Sequence, residues 1–95
     1  MTADDREQAR VFKALGDERR LQILRLLATG EKCACVLIDT LDMPQSTLSY
    51  HMKILCGSGL VTGREQGKWT HYKLDDEAFA RAAAVLRALI APDGE

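Results

Sequence analysis

An excess of positive charge is the first thing this chain lacks. Thirteen Lys and Arg stand against 14 Asp and Glu, a formal net charge of −1 with a pI near 6.1. The basic footprint of a protein that coats nucleic acid regardless of sequence is therefore missing. No apolar run is long enough to span a bilayer, and Met1-Thr2-Ala3-Asp4-Asp5 lacks the basic start and apolar core of a signal peptide. Three cysteines are an odd count and no disulfide framework, which points to the cytoplasm and reduced thiols. Pro/Ser linkers, internal repeats and low-complexity tracts are absent, so residues 1–95 read as one domain, with Pro92-Asp93-Gly94-Glu95 expected to fray. No nucleophile–base pairing, phosphate loop or carboxylate pair is visible, which argues against an enzyme.

What is present is concentrated between residues 40 and 74. Along Asp42-Met43-Pro44-Gln45-Ser46-Thr47-Leu48-Ser49-Tyr50-His51-Met52-Lys53-Ile54-Leu55, the residues Leu48, Met52 and Leu55 form a helical apolar stripe. Ser46, Ser49, Tyr50 and Lys53 recur at i, i+3, i+4, i+7 on the other side, with Gln45 and Thr47 beside them. A merely solvated face is usually Glu and Lys. Short side chains that both donate and accept suit the base edges of a major groove. Gln45, Ser46, Thr47, Ser49 and Tyr50 are thus candidates for bases, and His51 and Lys53 for the backbone.

A helix from Cys33 to about Asp42 precedes this one across a turn short enough for a helix-turn-helix, with Pro44 at the first helical position. Gly57 and Gly59 supply stop signals. Leu60-Val61-Thr62 and Lys68-Trp69-Thr70-His71-Tyr72-Lys73-Leu74 then flank Arg64-Glu65-Gln66-Gly67, a hairpin pattern that adds Arg64 and Lys68 as backbone contacts. The expected fold is mainly α with a small β-hairpin, a winged helix. Helices are expected near 4–15, 17–29, 33–42, 44–57 and 75–90, and strands near 60–64 and 68–74. Charge is segregated: Met43 to Leu74 carries Lys53, Arg64, Lys68 and Lys73 against Glu65, whereas Asp75 to Glu95 is acidic.

Leu15-Gly16-Asp17-Glu18-Arg19-Arg20-Leu21, Cys33-Ala34-Cys35-Val36-Leu37, the Met43–Leu55 run and Gly67-Lys68-Trp69-Thr70-His71-Tyr72 together resemble the ArsR/SmtB family of metal-responsive repressors, in order and spacing over nearly the whole chain. The resemblance implies a homodimer held by the first and last helices. Val11, Phe12 and Leu15, and Phe79 to Ile90, offer the apolar surface for it. It also implies an inverted-repeat operator in double-stranded DNA, no membrane, and an inducer bound by Cys33 and Cys35. Cys-x-Cys at this point resembles the arsenic, antimony, cadmium and lead branch, and As(III) or Sb(III) is the expected inducer. A sensor of Cd(II), Pb(II) or Zn(II) and a thiol-redox sensor are the alternatives.

On an α-helix, residues two apart point about 200° away from each other, so chelation by Cys33 and Cys35 would require the first turn to be reshaped. The helix N-terminus and Lys32 favour thiolate. Trivalent arsenic prefers three sulfurs, and the third family cysteine is replaced here near Ile38. Cys56 is the remaining thiol; it stands at the far end of the recognition helix, where a plain helix-end cysteine is the simpler reading. An exogenous thiol, hydroxide or a cysteine from the other subunit could complete the shell. His71 is expected at the surface of the wing.

Overall fold

The computed structural model describes residues 3–91; Met1, Thr2 and the Pro92–Glu95 segment expected to fray lie outside them. The order of elements is α1 (Ala3–Leu15), α2 (Glu18–Leu27), β1 (Lys32–Cys33), α3 (Ala34–Leu41), α4 (Gln45–Gly57), β2 (Val61–Gln66), β3 (Trp69–Leu74) and α5 (Asp76–Ile90). This is a winged helix, with α3 and α4 as the helix-turn-helix and β2–β3 as the wing. None of the described helices is long and apolar enough to cross a membrane.

Local chemistry sets the helix ends. Asp17 caps α2 by accepting from the backbone N–H groups of Arg19 and Arg20 at 2.8 and 3.1 Å, and Asp75 caps α5 through the N–H of Ala78. Those N–H groups, Arg20's foremost, hold the Asp17 carboxyl below its usual pKa. Between α3 and α4 the chain reverses over three residues. Asp42 takes a left-handed conformation (φ 50°), which a short polar side chain tolerates, and the N–H of Met43 returns to the carbonyl of Ile38 at 3.1 Å. From α2, the Arg19 guanidinium donates to the Leu41 carbonyl at 2.9 Å and so anchors the end of α3. Pro44 is the N-cap of α4 rather than its first helical residue. Its ψ of 150° is extended, and its carbonyl accepts the first helical bond from Leu48.

The sheet is antiparallel with strand order β1-β3-β2. Two residues of β1 carry no readable period, which is why only the hairpin was expected. The hairpin loop is shorter than expected, Gly67-Lys68, and Gly67 supplies the positive φ (65°) that the reversal needs. Gly63 serves packing instead. A Cβ there would stand 3.0 Å from the ring of Tyr72 and 3.2 Å from the methyl of Thr70, so a larger residue would make these side chains shift.

Ile23, Leu37, Met52, Leu55, Leu60 and Val61 are fully buried, and the Leu48, Met52, Leu55 stripe faces inward as its spacing predicts. One charge shares this interior. Arg20, 7 % exposed, donates to the carbonyls of Ala14 (2.8 Å) and Lys13 (3.2 Å) and meets His51 Nδ1 at 3.2 Å. It ties the end of α1 to the middle of α4. At the other pole the core is unfinished: along α5, Leu86, Leu89 and Ile90 are 53, 70 and 82 % exposed, on a molecule 48 Å long and 22 Å across.

Replacing Arg20 by Met should cost roughly 2–3 kcal/mol in urea unfolding, because two carbonyls and an imidazole lose their donor in a buried site. Burial, aided by Arg20 and Arg19 and opposed by Asp17, lowers the pKa of His51 from 6.5. The unfolded chain then takes up a proton that the folded one refuses as pH falls below about 6.5, so stability is full above that value and declines toward the lowered pKa. His51→Gln should flatten that part of the stability–pH curve.

Candidate nucleic-acid interface and thiol site

The face of α4 opposite the core is open. Gln45, Ser46, Ser49, Tyr50 and Lys53 are exposed and Thr47 is half-buried. His51, expected at the DNA backbone, is instead buried against Arg20 with its ring edge toward Tyr50. The register explains it: three residues after Leu48 and four before Leu55, it belongs to the inward stripe. His51 therefore stands on the inward side of α4 against Arg20, not on its open face.

Arg64 and Lys68 are exposed on the wing as expected, and Lys68 stands at its tip. Arg64 is not loose. Its guanidinium lies 2.6 Å from Glu31 Oε2 and 2.6 Å from Gln66 Oε1. The same Glu31 oxygen is 3.9 Å from His71 Nδ1. Glu31 precedes Arg64 by 33 residues, so no local pattern could have announced it.

The cysteine pair differs from expectation in a way that matters. Cys33 is not in the helix. It ends β1, pairs with His71 and is the N-cap of α3, with extended φ and ψ of −68° and 144°. Its Sγ accepts the N–H of Cys35 at 3.1 Å. The divergence of two side chains on one helix therefore does not apply. The two Cα atoms are 5.1 Å apart and the two sulfurs meet, joined as a disulfide rather than standing as reduced thiols. Both sulfurs therefore stand on the same side at the start of α3. Lys32, expected to supply positive charge beside the thiols, sends its ammonium to Thr29 Oγ1 and the Gly30 carbonyl.

Cys56 is not brought to this pair. It is half-buried at the end of α4 and lines a cavity of about 490 Å³ between α1 and α5, and burial pushes its thiol pKa up, away from the thiolate a metal needs. Among the described residues no three His, Cys, Asp or Glu side chains stand together as a metal shell.

The profile of bacterial regulatory proteins of the arsR family matches residues 17–62, the stretch from the cap of α2 through α4 into the wing. The arsenical resistance operon repressor of Bacillus subtilis is 42 % identical over 73 residues, covering 76 % of this chain and 70 % of that protein. The chain belongs to the ArsR family. An uncharacterised HTH-type transcriptional regulator of Methanocaldococcus jannaschii is 47 % identical over 70 residues, 73 % of this chain and 79 % of that one. A Staphylococcus aureus homologue of the cadmium resistance regulator CadC is 39 % identical over 70 residues, covering 73 % of this chain and 58 % of its own. Among solved structures, a homodimeric winged helix-turn-helix DNA-binding domain from Mycobacterium bovis superposes with a TM-score of 0.77 at 36 % identity, covering 94 % of this chain and 82 % of that one. As an ArsR-family transcriptional regulator, the chain is a DNA-binding protein and not an enzyme.

If Arg64 is a phosphate contact, as its place on the wing leads one to expect, its ion pair with Glu31 would compete with DNA phosphate. Glu31→Gln should leave Arg64 free for phosphate and steepen the dependence of log affinity on log salt by up to about one. Fluorescence anisotropy at several salt concentrations reads this.

Proposed function

We propose that this ArsR-family regulator is a cytoplasmic homodimeric repressor that leaves an inverted-repeat operator when As(III) or Sb(III) binds Cys33 and Cys35. The observation that carries the reading is the position of the two sulfurs. They meet at the N-cap of α3, and α3 is the helix on which the DNA-facing α4 docks. Arsenite, As(OH)₃, condenses with two thiols to give two As–S bonds and two waters, and one hydroxide stays on arsenic. A small exogenous thiol can replace that hydroxide. A helix N-terminus favours the thiolate form that begins this exchange. The name of the Bacillus subtilis relative supports the choice of metalloid, and that of the Staphylococcus aureus relative keeps cadmium in view.

On DNA, Gln45, Ser46, Thr47, Ser49 and Tyr50 read base edges from a major groove, while Lys53, Arg64 and Lys68 hold phosphates. Burying Leu86, Leu89 and Ile90 of α5 against their copies across a two-fold axis, with α1 alongside, gives the dimer and requires a two-fold operator. Leu89→Asp should dissociate it in sedimentation, because a charge would enter an apolar interface.

A second reading is favoured by the disulfide itself. Oxidation joins the sulfurs that arsenite needs, so the oxidised chain cannot respond, and the pair could report thiol redox state instead. One experiment separates the readings. Reduced protein on its own upstream DNA should release it on arsenite addition, whereas Cys33→Ser and Cys35→Ser should keep operator affinity and lose the response. Release from the double serine variant would refute the site. Release by oxidant alone, with no effect of arsenite, would favour the redox reading.

A further inference from the structure

Histidine is the one side chain whose ordinary pKa lies between about pH 5 and 8, and the chain has two. His71 is partly exposed on the wing sheet, whereas His51 is buried on the inward side of α4. His51 Nδ1 lies 3.2 Å from Arg20 Nη1. A guanidinium carries only donors, so Nδ1 is the acceptor and the ring proton stands on Nε2. Protonation at Nδ1 would set two donors, each part of a cation, against each other in the core. Arg20 is also held from behind: its Nε and Nη2 donate to the carbonyls of Ala14 at 2.8 Å and Lys13 at 3.2 Å, at the end of α1. The side free to yield is therefore α4. Arg20 and Arg19 of α2 repel an imidazolium here, Asp17 at the α2 cap attracts it, and burial outweighs that attraction. The Lys13 side chain of α1, Asp39 of α3, and Arg64 and Glu65 of β2 are all exposed. Tyr50, the preceding residue on α4, is exposed and meets the imidazole edge-on, with ring centroids 5.2 Å apart.

Taking α4 as the base-reading helix, the reading on which this rests, we propose that the Arg20–His51 bond is a proton-sensitive latch on α4. Neutral His51 holds the helix in its reading position, and a proton taken from solvent by Nδ1 breaks the bond and releases operator DNA. The lone pair that accepted from Arg20 becomes an N–H bond, and no other bond is made or broken in the chain. Operator DNA selects the latched form, whose imidazole is neutral. DNA binding therefore lowers the proton affinity of His51, and in acid its release takes up a proton in each subunit. The sign is opposite to that of a histidine on a DNA-facing surface. Such a histidine gains charge in acid and strengthens the hold on phosphate. His51 gains its charge on the inward side of α4, against Arg20. The proton is thereby an effector separate from the chemistry of Cys33 and Cys35, acting where α2 meets α4 rather than at the start of α3.

The test is the affinity of the reduced full chain for its own upstream DNA, by fluorescence anisotropy at fixed ionic strength, from about pH 7.5 to about pH 5.5, where imidazoles titrate. Far-UV circular dichroism is recorded at each pH. Wild-type affinity should fall below the pKa of His51, by up to about tenfold per pH unit for each subunit, with helix content unchanged. His51→Gln, whose amide does not titrate, should flatten the fall, and His71→Gln should keep it. A readout that needs no variant is the NMR titration of the His51 ring, whose pKa should be lower in the operator complex than in the free chain. Wild-type affinity that rises or stays level in acid, an undiminished fall in His51→Gln, or equal His51 pKa values free and bound would overturn the latch. So would a fall that only accompanies loss of the helix signal. Unchanged operator affinity of both Ser49→Ala and Tyr50→Ala at neutral pH would instead remove the reading of α4 on which the latch depends.

Discussion

Cys33 belongs to two elements at once. Its backbone ends β1 and pairs with His71, and its sulfur takes the N–H of Cys35 at the start of α3. A side chain at a helix N-cap stands outside the helical spiral, so a neighbour two positions on can meet it; the same two residues one turn later would point apart. Chemistry at the two sulfurs consequently acts on a strand end and a helix start together. On the proposed reading, replacing the bond between the sulfurs by bonds to arsenic would alter how α3 is capped, and with it the surface on which α4 rests.

That surface is otherwise held firmly. Arg19 fixes the end of α3 through the Leu41 carbonyl, and Arg20 ties the middle of α4 to the end of α1 through His51, so both helices of the helix-turn-helix are bonded to α2. A reading helix held at several points responds as a body when one support moves. Coupling between two ligands on such a frame is typically 1–3 kcal/mol, about 5- to 150-fold in affinity, which is the size of effect that releasing a repressor from its operator calls for.

Much of this was legible in the residues. Leu48, Met52 and Leu55 set the buried face of α4 by spacing alone, and Ser46, Ser49 and Tyr50 marked the open one. Charge type misled at His51: a polar residue beside a polar stripe looked like a contact, but its phase in the 3.6-residue repeat is inward and a buried arginine satisfies it. β1 escaped because two residues show no alternation, and with it escaped the pairing that sets Cys33 against His71. Periodicity likewise placed Cys33 inside α3, although a sulfur can cap a helix much as a serine does. The Glu31–Arg64 contact spans 33 residues and depends on the sheet, so only the folded chain reveals it.

The central claim is that the thiol pair and the DNA-facing helix are coupled, and coupling is reciprocal. The most direct measurement is the arsenite affinity of the reduced protein, free and saturated with operator DNA, by isothermal titration. The account predicts weaker arsenite binding to the DNA complex, by the same factor as arsenite weakens DNA binding. Equal affinities in the two states would contradict it.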